Sequence, residues 1–445
     1  MKSDVKHDIY FISLGCPKNL VDSEHMLGYL NQGGYRCTDS IERASICIIN
    51  TCGFIQEAVE ESIDTILEAA ELKSQGSLEK LVVTGCMVQR YGYKLRREIP
   101  EVDAWLGTNE FARILDIVDT DGSEDKSPFF ISRPLYLADH TAPRLLSTPF
   151  YTAYIKIAEG CSHRCSFCTI PAIRGPFRSR SIESVETEAA SLVEHGVREI
   201  NLVAQDTAMY GRDQGFSLED LLERLVTING LDWIRILYCY PDGVSERLLD
   251  MMDSEEKICP YLDIPLQHIN RDILVSMRRP PVSETPWELV NRIRKHRRKI
   301  SLRTSLMVGF PGETKDAFNE LYSFVNDARF DHLGVFVFSK EEGTAAARMK
   351  NHVNPEVAIQ RKDMILSLQA KISEEINREL IGKVQPVLIE GQSEETDLLL
   401  KGRSVSMAPD VDGQVLINKG EAVYGKIMPV LIKNAYSYDL IGEIR

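Results

Sequence analysis

The sequence predicts an α/β protein in three consecutive parts: an N-terminal parallel-sheet α/β domain, a partial (βα)6 barrel and a small antiparallel β-barrel. Three observations predict this fold class. Short apolar runs alternate with amphipathic stretches up to about residue 120, a strand-then-helix unit then repeats six times, and glycine-separated β-like runs follow residue 380. Strands separated by helices favour a parallel sheet, whereas closely spaced short strands favour a small barrel.

The composition is that of an ordinary folded chain of 445 residues, with 43% hydrophobic and 27% charged residues. We find no apolar run as long as a membrane span and no apolar core of a signal peptide, so we expect a cytoplasmic protein without a membrane partner. Ten cysteines in a reducing compartment are typical of metal ligands or buried thiols. The net charge of −14 disfavours broad non-specific binding to nucleic acid and favours a basic partner.

The first domain is predicted over residues 7–120. Its strands are indicated by DIYFISLG, SICIIN and LVVTG, and its helices by SEHMLGYLNQGG, QEAVEESIDTILEAAELK and NEFARILDIV. Cys16, Cys52 and Cys86 each lie at the carboxyl end of one predicted strand, and these ends share the edge where open α/β sheets bind ligands. The three thiols could therefore meet and hold an iron–sulfur cluster. Three buried, unreactive thiols explain the strand ends alone equally well.

The barrel is predicted over residues 147–378, after a connecting segment at 120–149 that is rich in proline, serine and charge. Six strands are indicated by AYIKIA, EINLVA, WIRILY, YLDIPL, LRTSLMV and LGVFVF, and helices begin near Glu183, Leu218, Ser245, Asp272, Thr285, Lys315 and Glu356. Active sites of such barrels lie at the carboxyl ends of the strands. The terminal β-barrel is predicted over residues 380–445 from VQPVLIEG, TDLLLKG, GQVLIN and YGKIMPVLIK.

The stretch CSHRCSFC, directly after the first barrel strand, places Cys161, Cys165 and Cys168 in the spacing C-x-x-x-C-x-x-C. Three thiolates can hold three irons of a 4Fe–4S cluster, which normally takes four cysteine ligands. One iron then keeps an open coordination position, as a catalytic metal site requires. Zinc is the alternative, but zinc sites usually add a second C-x-x-C pair or paired histidines, and none lies nearby.

These motifs together resemble the methylthiotransferase family of radical S-adenosylmethionine (SAM) enzymes. The resemblance spans nearly the whole chain and is carried by SLGCPKNLVDSE, CSHRCSFCTIPAIRGPFRSR, YLDIPLQH and VGFPGET. It implies two 4Fe–4S clusters, the first on the three N-terminal cysteines and the second, which chelates SAM, on Cys161, Cys165 and Cys168. It also implies that the terminal barrel is a TRAM domain that helps bind a macromolecular substrate, and that an electron-donor protein and a sulfur donor are needed.

Within that family, SLGCPKN and YLDIPLQH are similar to the branch that adds a methylthio group to the β-carbon of an aspartate of ribosomal protein S twelve, as free protein or in the small ribosomal subunit. The alternative is the transfer-RNA branch of the MiaB type, which typically has glutamine where Pro17 stands here and favours PGT where this chain has SKEEGT. Residues 381–445 carry seven Lys plus Arg against nine Asp plus Glu, whereas a module that grips RNA should present a basic face.

Four residues are candidates for SAM contact at the barrel mouth. Phe167 precedes Cys168 where the superfamily usually has an aromatic residue near the adenine, although ordinary loop packing also explains it. Gln205 and Asp206 follow EINLVA, and Arg303 opens LRTSLMV, so their polar groups could face SAM; a structural hydrogen bond is the equal alternative for each. The sequence assigns no catalytic acid or base, because the difficult step belongs to the cofactor.

Overall fold

The computed structural model describes residues 7–120, 128–281, 283–394 and 396–445. The chain divides into two compact units, the first made of residues Met1–Ser147, Ala158–Arg164 and Cys168–Arg180, and the second of residues Thr148–Ile157, Cys165–Phe167 and Ser181–Arg445. Part of the predicted connecting segment, residues 121–127, lies outside the described residues. Within the described ranges, no helix is both long and apolar enough to cross a lipid bilayer.

A six-stranded parallel sheet forms the centre of the first unit. Its strands are β1 (Asp8–Ser13), β2 (Arg36–Cys37), β3 (Ile46–Thr51), β4 (Lys80–Gly85), β5 (Ala104–Leu106) and β6 (Phe129–Phe130), in the order β2-β1-β3-β4-β5-β6. The helices are α1 (Pro17–Gln32), α2 (Gln56–Ser74), α3 (Cys86–Glu98) and α4 (Ile114–Val118), with 3-10 turns at Ile41–Arg43 and Phe111–Arg113. The three predicted strands are confirmed, and β2, β5, β6 and α3 are additions that the sequence pattern did not reveal.

Alternate side chains of β3 enter two separate apolar cores. Cys47 and Ile49 belong to the core that includes residues of α2, whereas Ile46 and Ile48 belong to the core that includes residues of α1. Parallel sheets with helices on both faces bury their strands completely, so such strands read as continuous apolar runs. This burial explains why SICIIN and LVVTG show no polar alternation.

The sheet's last strand, β6, comes from the segment that the sequence predicts as a connection. Trp105 of β5 pairs in parallel with Phe129 of β6. Proline, serine and charged residues around these two phenylalanines hide the strand from a pattern search. The segment therefore contributes an edge strand to the first unit as well as a link.

Six parallel strands form an open barrel in the second unit, as predicted. The strands of the central part of the chain are β7 (Thr152–Lys156), β8 (Ala158–Glu159), β9 (Arg178–Ser179), β10 (Glu199–Val203), β11 (Trp233–Ile236), β12 (Ile258–Asp263), β13 (Ser301–Val308) and β14 (His332–Val337). The barrel order is β7-β10-β11-β12-β13-β14, whereas β8 and β9 pair with each other in the first unit.

The short helix α5 (Ile170–Arg174) belongs to the first unit and is not among the predicted helices. The helices described in the second unit begin where the sequence predicts them. They are α6 (Ile182–Glu194), α7 (Leu218–Leu225), α8 (Glu246–Ser254), α9 (Arg271–Ser276), α10 (Pro286–Ile293), α11 (Lys315–Ala328) and α12 (Pro355–Arg378), with 3-10 turns at Thr207–Met209, Pro241–Gly243 and Ala346–Arg348. Side chains that accept backbone N–H groups in the first turn fix the starts of α6 to α12; they are Ser181, Ser217, Ser245, Asn270, Thr285, Thr314 and Asn354.

The chain ends in a small closed β-barrel, as predicted. Its strands are β15 (Val384–Gln392), β16 (Leu400–Ser404), β17 (Val415–Lys419), β18 (Ile427–Ala435) and β19 (Leu440–Ile444), in the order β15-β16-β17-β19-β18. Four neighbouring pairs are antiparallel, but β17 and β19 run parallel, with Val415 opposite Leu440. A closed ring with an odd number of strands cannot alternate direction throughout, so one parallel pair is required.

Candidate functional site

The strand order of the first sheet reverses between β1 and β3. Open α/β sheets bind ligands in the crevice outside the carboxyl ends of the strands at such a point. Cys16 lies between β1 and α1, Cys52 directly follows β3, and Cys86 is the first residue of α3 directly after β4. The fold therefore brings the three N-terminal cysteines to one edge of the sheet.

Glycines allow the three cysteine segments to approach one another. Gly15 has a positive φ of +91°, and a Cβ at this position would lie 2.9 Å from the Cβ and 3.2 Å from the sulfur of Cys52. A Cβ at Gly53 would lie 2.6 Å from the Cα of Met87, the residue after Cys86. No side chain fits these gaps without displacing a neighbour. The segment of Cys16 thus lies against Cys52, and the segment of Cys52 lies against Cys86.

The three thiols sit in different electrostatic surroundings. Burial disfavours the Cys16 thiolate, but the charges of Lys18 and Arg174 and nearby backbone amides outweigh it, so the pKa of Cys16 lies below its ordinary value. Burial raises the pKa of Cys52, and it raises the pKa of Cys86 to about 12. Negative charge on Cys16 raises both of these pKa values further, as expected for thiols that lie close together.

A buried arginine contacts this cysteine edge. Arg174, the last residue of α5, is 3% exposed. Its Nη2 donates to the sulfur of Cys86 at 3.1 Å and to Oδ1 of Asn19 at 3.0 Å, and its Nη1 donates to the Asp22 carboxylate. Sequence reasoning missed this residue. It lies within CSHRCSFCTIPAIRGPFRSR, one of the stretches that carry the family resemblance, but no local pattern distinguishes it from a solvent-exposed arginine.

The N-terminal thiols fit an iron–sulfur cluster by their chemistry. Within residues 7–120, 128–281, 283–394 and 396–445, no group of three or more His, Cys, Asp or Glu side chains is arranged to hold a metal ion. A four-iron cluster does not need its protein ligands to surround a single ion, because each thiolate binds its own iron. All ten cysteines lie outside disulfide bonds. Cys16, Cys52 and Cys86 lie at one sheet edge, where neighbouring glycines let their segments approach, and they supply the soft thiolate donors that such a cluster takes.

The second cysteine motif lies in the loop between β8 and α5. Cys161, Cys165 and Cys168 form no disulfide and are partly exposed, and three thiols within eight residues form the same donor set. In the second unit, Nη1 of Arg279 lies 3.6 Å from the sulfur of Cys165, and the same guanidinium lies 4.2 Å from the centre of the Tyr240 ring. Arg279 and Tyr240 are further residues that the sequence did not single out.

Three of the predicted SAM contacts lie in the second unit: Gln205 and Asp206 follow the carboxyl end of β10, and Phe167 lies in the loop before α5. The ring of Phe167 meets that of Phe310 edge-on at 6.4 Å, within an apolar cluster. The carboxylate of Asp206 accepts backbone N–H groups of Ala208 and Tyr240, both at 3.1 Å, and Gln205 beside it is half-buried. These packing and hydrogen-bonding roles do not test the predicted SAM contacts of the three residues, which stay predictions.

Arg303 of β13 has two carboxylate partners. Its Nε lies 3.2 Å from Asp412 and its Nη1 lies 3.5 Å from Asp263. Asp412 belongs to the loop between β16 and β17 of the terminal barrel, and it also accepts the hydroxyl of Tyr261 at 2.7 Å. Burial lowers the pKa of Arg303, but Asp263, Tyr261 and Asp412 outweigh it, so that pKa lies above its ordinary value. The predicted contact of Arg303 with SAM likewise stays a prediction.

Family models match all three parts of the chain. They are the "Uncharacterized protein family UPF0004" over residues 8–107, the "Radical SAM superfamily" over residues 155–325 and the "TRAM domain" over residues 381–444. The structure of the radical SAM methyltransferase TsrM from Kitasatospora setae, with cobalamin and a 4Fe-4S cluster bound, has a TM-score of 0.57. It is 15% identical and the alignment covers 85% of this chain and 80% of that one, which supports the fold alone. Fold and motif define a radical SAM enzyme, a class that uses an iron–sulfur cluster and SAM.

Curated relatives narrow this class to one family. The proteins named "Ribosomal protein uS12 methylthiotransferase RimO" of Geobacter sulfurreducens and Syntrophotalea carbinolica are 50% and 49% identical to this chain. The alignments cover 99% of this chain in both cases, and 99% and 97% of the relatives. The chain therefore belongs to the RimO family of radical SAM methylthiotransferases. These relatives favour the ribosomal-protein branch over the transfer-RNA branch.

Proposed function

We propose that this enzyme transfers a methylthio group to the β-carbon of an aspartate side chain of ribosomal protein S twelve, uS12 in the relatives' names. Identity of 49% and 50% along almost the whole chain to relatives named as uS12 methylthiotransferases carries the proposal. The substrate is the free protein or the small ribosomal subunit. An electron-donor protein and a sulfur donor complete the set of partners.

The charge of the terminal barrel supports a protein substrate. Arg403, Glu390 and Asp412 form ion pairs in the interior. Residues 381–445 contain seven basic and nine acidic residues, and without these three interior ones six basic and seven acidic residues are left to interact with a partner. This balance lacks the basic excess that binding to an RNA backbone requires, and it suits a basic ribosomal protein.

Two 4Fe–4S clusters belong to this proposal. Cys16, Cys52 and Cys86 would hold the first, and the cysteines of CSHRCSFC would hold the second. Each set offers three thiolates, so one iron of each cluster is left for a ligand that the chain does not supply. When bound, the clusters and SAM supply the radical and sulfur chemistry that amino-acid side chains cannot perform.

The chain's own residues would bind and orient the clusters and SAM, and they would exclude water from the site. Gly15 and Gly53 let the first three thiols converge. Phe167, Phe310 and Phe338 form an apolar wall at the carboxyl ends of β13 and β14 that keeps water away. The proposed SAM contacts are Phe167, Gln205, Asp206 and Arg303. The proposed domains are the methylthiotransferase N-terminal domain at 7–120, the radical SAM core at 147–378 and the TRAM domain at 380–445.

Mass spectrometry of the product tests the proposal. The anaerobically reconstituted enzyme is incubated with SAM, a reductant and either small ribosomal subunits or transfer RNA, and uS12 and the RNA nucleosides are then analysed. We expect one methylthio mass gain on an aspartate of uS12 and an unmodified RNA. Cleavage of SAM with no mass gain on uS12, together with methylthiolated adenosine in the RNA, would reject the substrate assignment.

A further inference from the structure

We infer that Arg174 is a positioning residue for the N-terminal cluster: its guanidinium holds the sulfur of Cys86 through an N–H···S hydrogen bond and raises the reduction potential of the cluster. The inference rests on the proposed function in one respect, the assignment of Cys16, Cys52 and Cys86 as ligands.

The guanidinium of Arg174 is fixed in one orientation by its partners. Nη1 donates to the carboxylate of Asp22 and lies 3.5 Å from that of Glu159. Nη2 donates to Asn19 at 3.0 Å and to the Cys86 sulfur at 3.1 Å. Because the five N–H donors of arginine form a rigid planar fork, anchoring one side determines where the other side points. The anchored fork delivers an N–H group to the sulfur.

The contact with sulfur is more than a means of burying the charge. A buried guanidinium needs a carboxylate partner, and Asp22 and Glu159 already provide two. A neutral thiol is a weak acceptor, whereas a thiolate accepts a charge-assisted hydrogen bond that is about twice as strong as a neutral one. Hydrogen bonds to the sulfurs and nearby charge are among the factors that set the potential of iron–sulfur clusters. A cation at Cys86 favours the reduced, more negative cluster.

The position of Arg174 in the chain also matters. The residue lies six positions after Cys168, at the end of the short helix α5. The segment that follows Cys168 of the second cysteine motif therefore supplies the arginine that contacts Cys86 of the first cysteine set. Loss of Arg174 should consequently alter the first cluster without removing any cysteine of either motif.

The experiment isolates the N-terminal cluster. In a parent protein with Cys161→Ala, Cys165→Ala and Cys168→Ala, iron per chain and the midpoint potential are measured by redox titration followed by electron paramagnetic resonance. Arg174→Gln removes the charge and Arg174→Lys keeps it. Arg144→Gln is the matched control, because Arg144 is also a buried arginine of the first unit paired with a buried carboxylate, that of Glu24.

We expect Arg174→Gln to lower the midpoint potential, Arg174→Lys to lower it less, and Arg144→Gln to leave it at the parent value. An unchanged potential and spectrum in Arg174→Gln with full iron would overturn the inference. If both Arg174 variants lose iron, retention by Arg144→Gln supports the positioning role, and equal loss from Arg144→Gln overturns it. A parent protein that binds no iron would refute the ligand assignment itself, and the inference with it.

Discussion

Glu199, at the start of β10, joins the open barrel to the terminal barrel, and its replacement by glutamine should destabilise the protein strongly. The carboxylate is fully buried and accepts N–H groups of Arg235 from β11 at 3.1 Å and of Arg403 from β16 at 2.6 Å. Thr152 of β7 donates its hydroxyl to the same carboxylate at 3.0 Å. Glutamine keeps the shape of the side chain but leaves two buried guanidinium groups with less compensating charge.

Two arguments give a similar magnitude for the loss of folding stability caused by Glu199→Gln. Removing one partner of a buried ion pair typically costs about 3–5 kcal/mol. Although burial opposes ionisation, Arg403 and Arg235 lower the pKa of Glu199 from 4.5 to about 2, and a shift of this size corresponds to about 3 kcal/mol of stability at neutral pH. Because the pKa is lower in the folded state, this contribution is complete above pH 4.5 and is lost as the pH falls towards 2.

Urea unfolding, followed by circular dichroism, measures the loss. We expect E199Q to lower the free energy of unfolding by about 3–5 kcal/mol at neutral pH, and the difference from wild type to shrink as the medium is acidified. Glu186→Gln is the matched control, because Glu186 pairs with Arg224 on the surface and should contribute less than about 1 kcal/mol. A loss no greater than that of the control, or one independent of pH, would refute the reasoning.

Two further predictions concern the cysteine edge and the loop of the terminal barrel. Gly15→Ala should reduce the iron bound by the first cluster, because the new Cβ meets Cys52; Gly76→Ala, at a positive φ with no atom within 4 Å, should leave the iron content unchanged. Equal iron in both variants would contradict the role of Gly15. Arg303→Met and Asp412→Asn should each lower the unfolding midpoint, and the double variant should lower it by less than their sum, because the two side chains bind each other. Strict additivity would exclude that coupling.

The sequence predicts the repeating elements well, because their patterns are local. Each of the six barrel strands is a short apolar run, and most of the following helices begin at a side chain that caps their first turn. The helix α3 is not predicted, because Cys86 is interpreted only as the end of a strand and the stretch CMVQRYGYKLRRE is polar overall. Its few apolar residues, Met87, Val88 and Leu95, nevertheless share one face that is buried in the core. The strand β6 escaped because two residues are too few to form a pattern.

The sequence predicts only those parts of the candidate site whose chemistry follows directly from the type and spacing of the residues. Cysteine at three strand ends and in C-x-x-x-C-x-x-C is visible in the sequence. The burial of Arg174 and Glu199 is not visible, because their partners Asp22 and Arg403 lie more than 150 residues away in the chain. A charged residue inside a strand or helix is ordinarily taken as solvent-exposed, and only the tertiary fold reveals that it is paired.

The central claim is that this chain holds two four-iron clusters, each on three cysteines. Counting iron and acid-labile sulfide per chain in anaerobically reconstituted protein tests it most directly. We predict about eight irons in the wild type, and about four after alanine replaces either Cys16, Cys52 and Cys86 or Cys161, Cys165 and Cys168. A wild-type protein with about four irons, or an iron content that the N-terminal alanine substitutions leave unchanged, would contradict it.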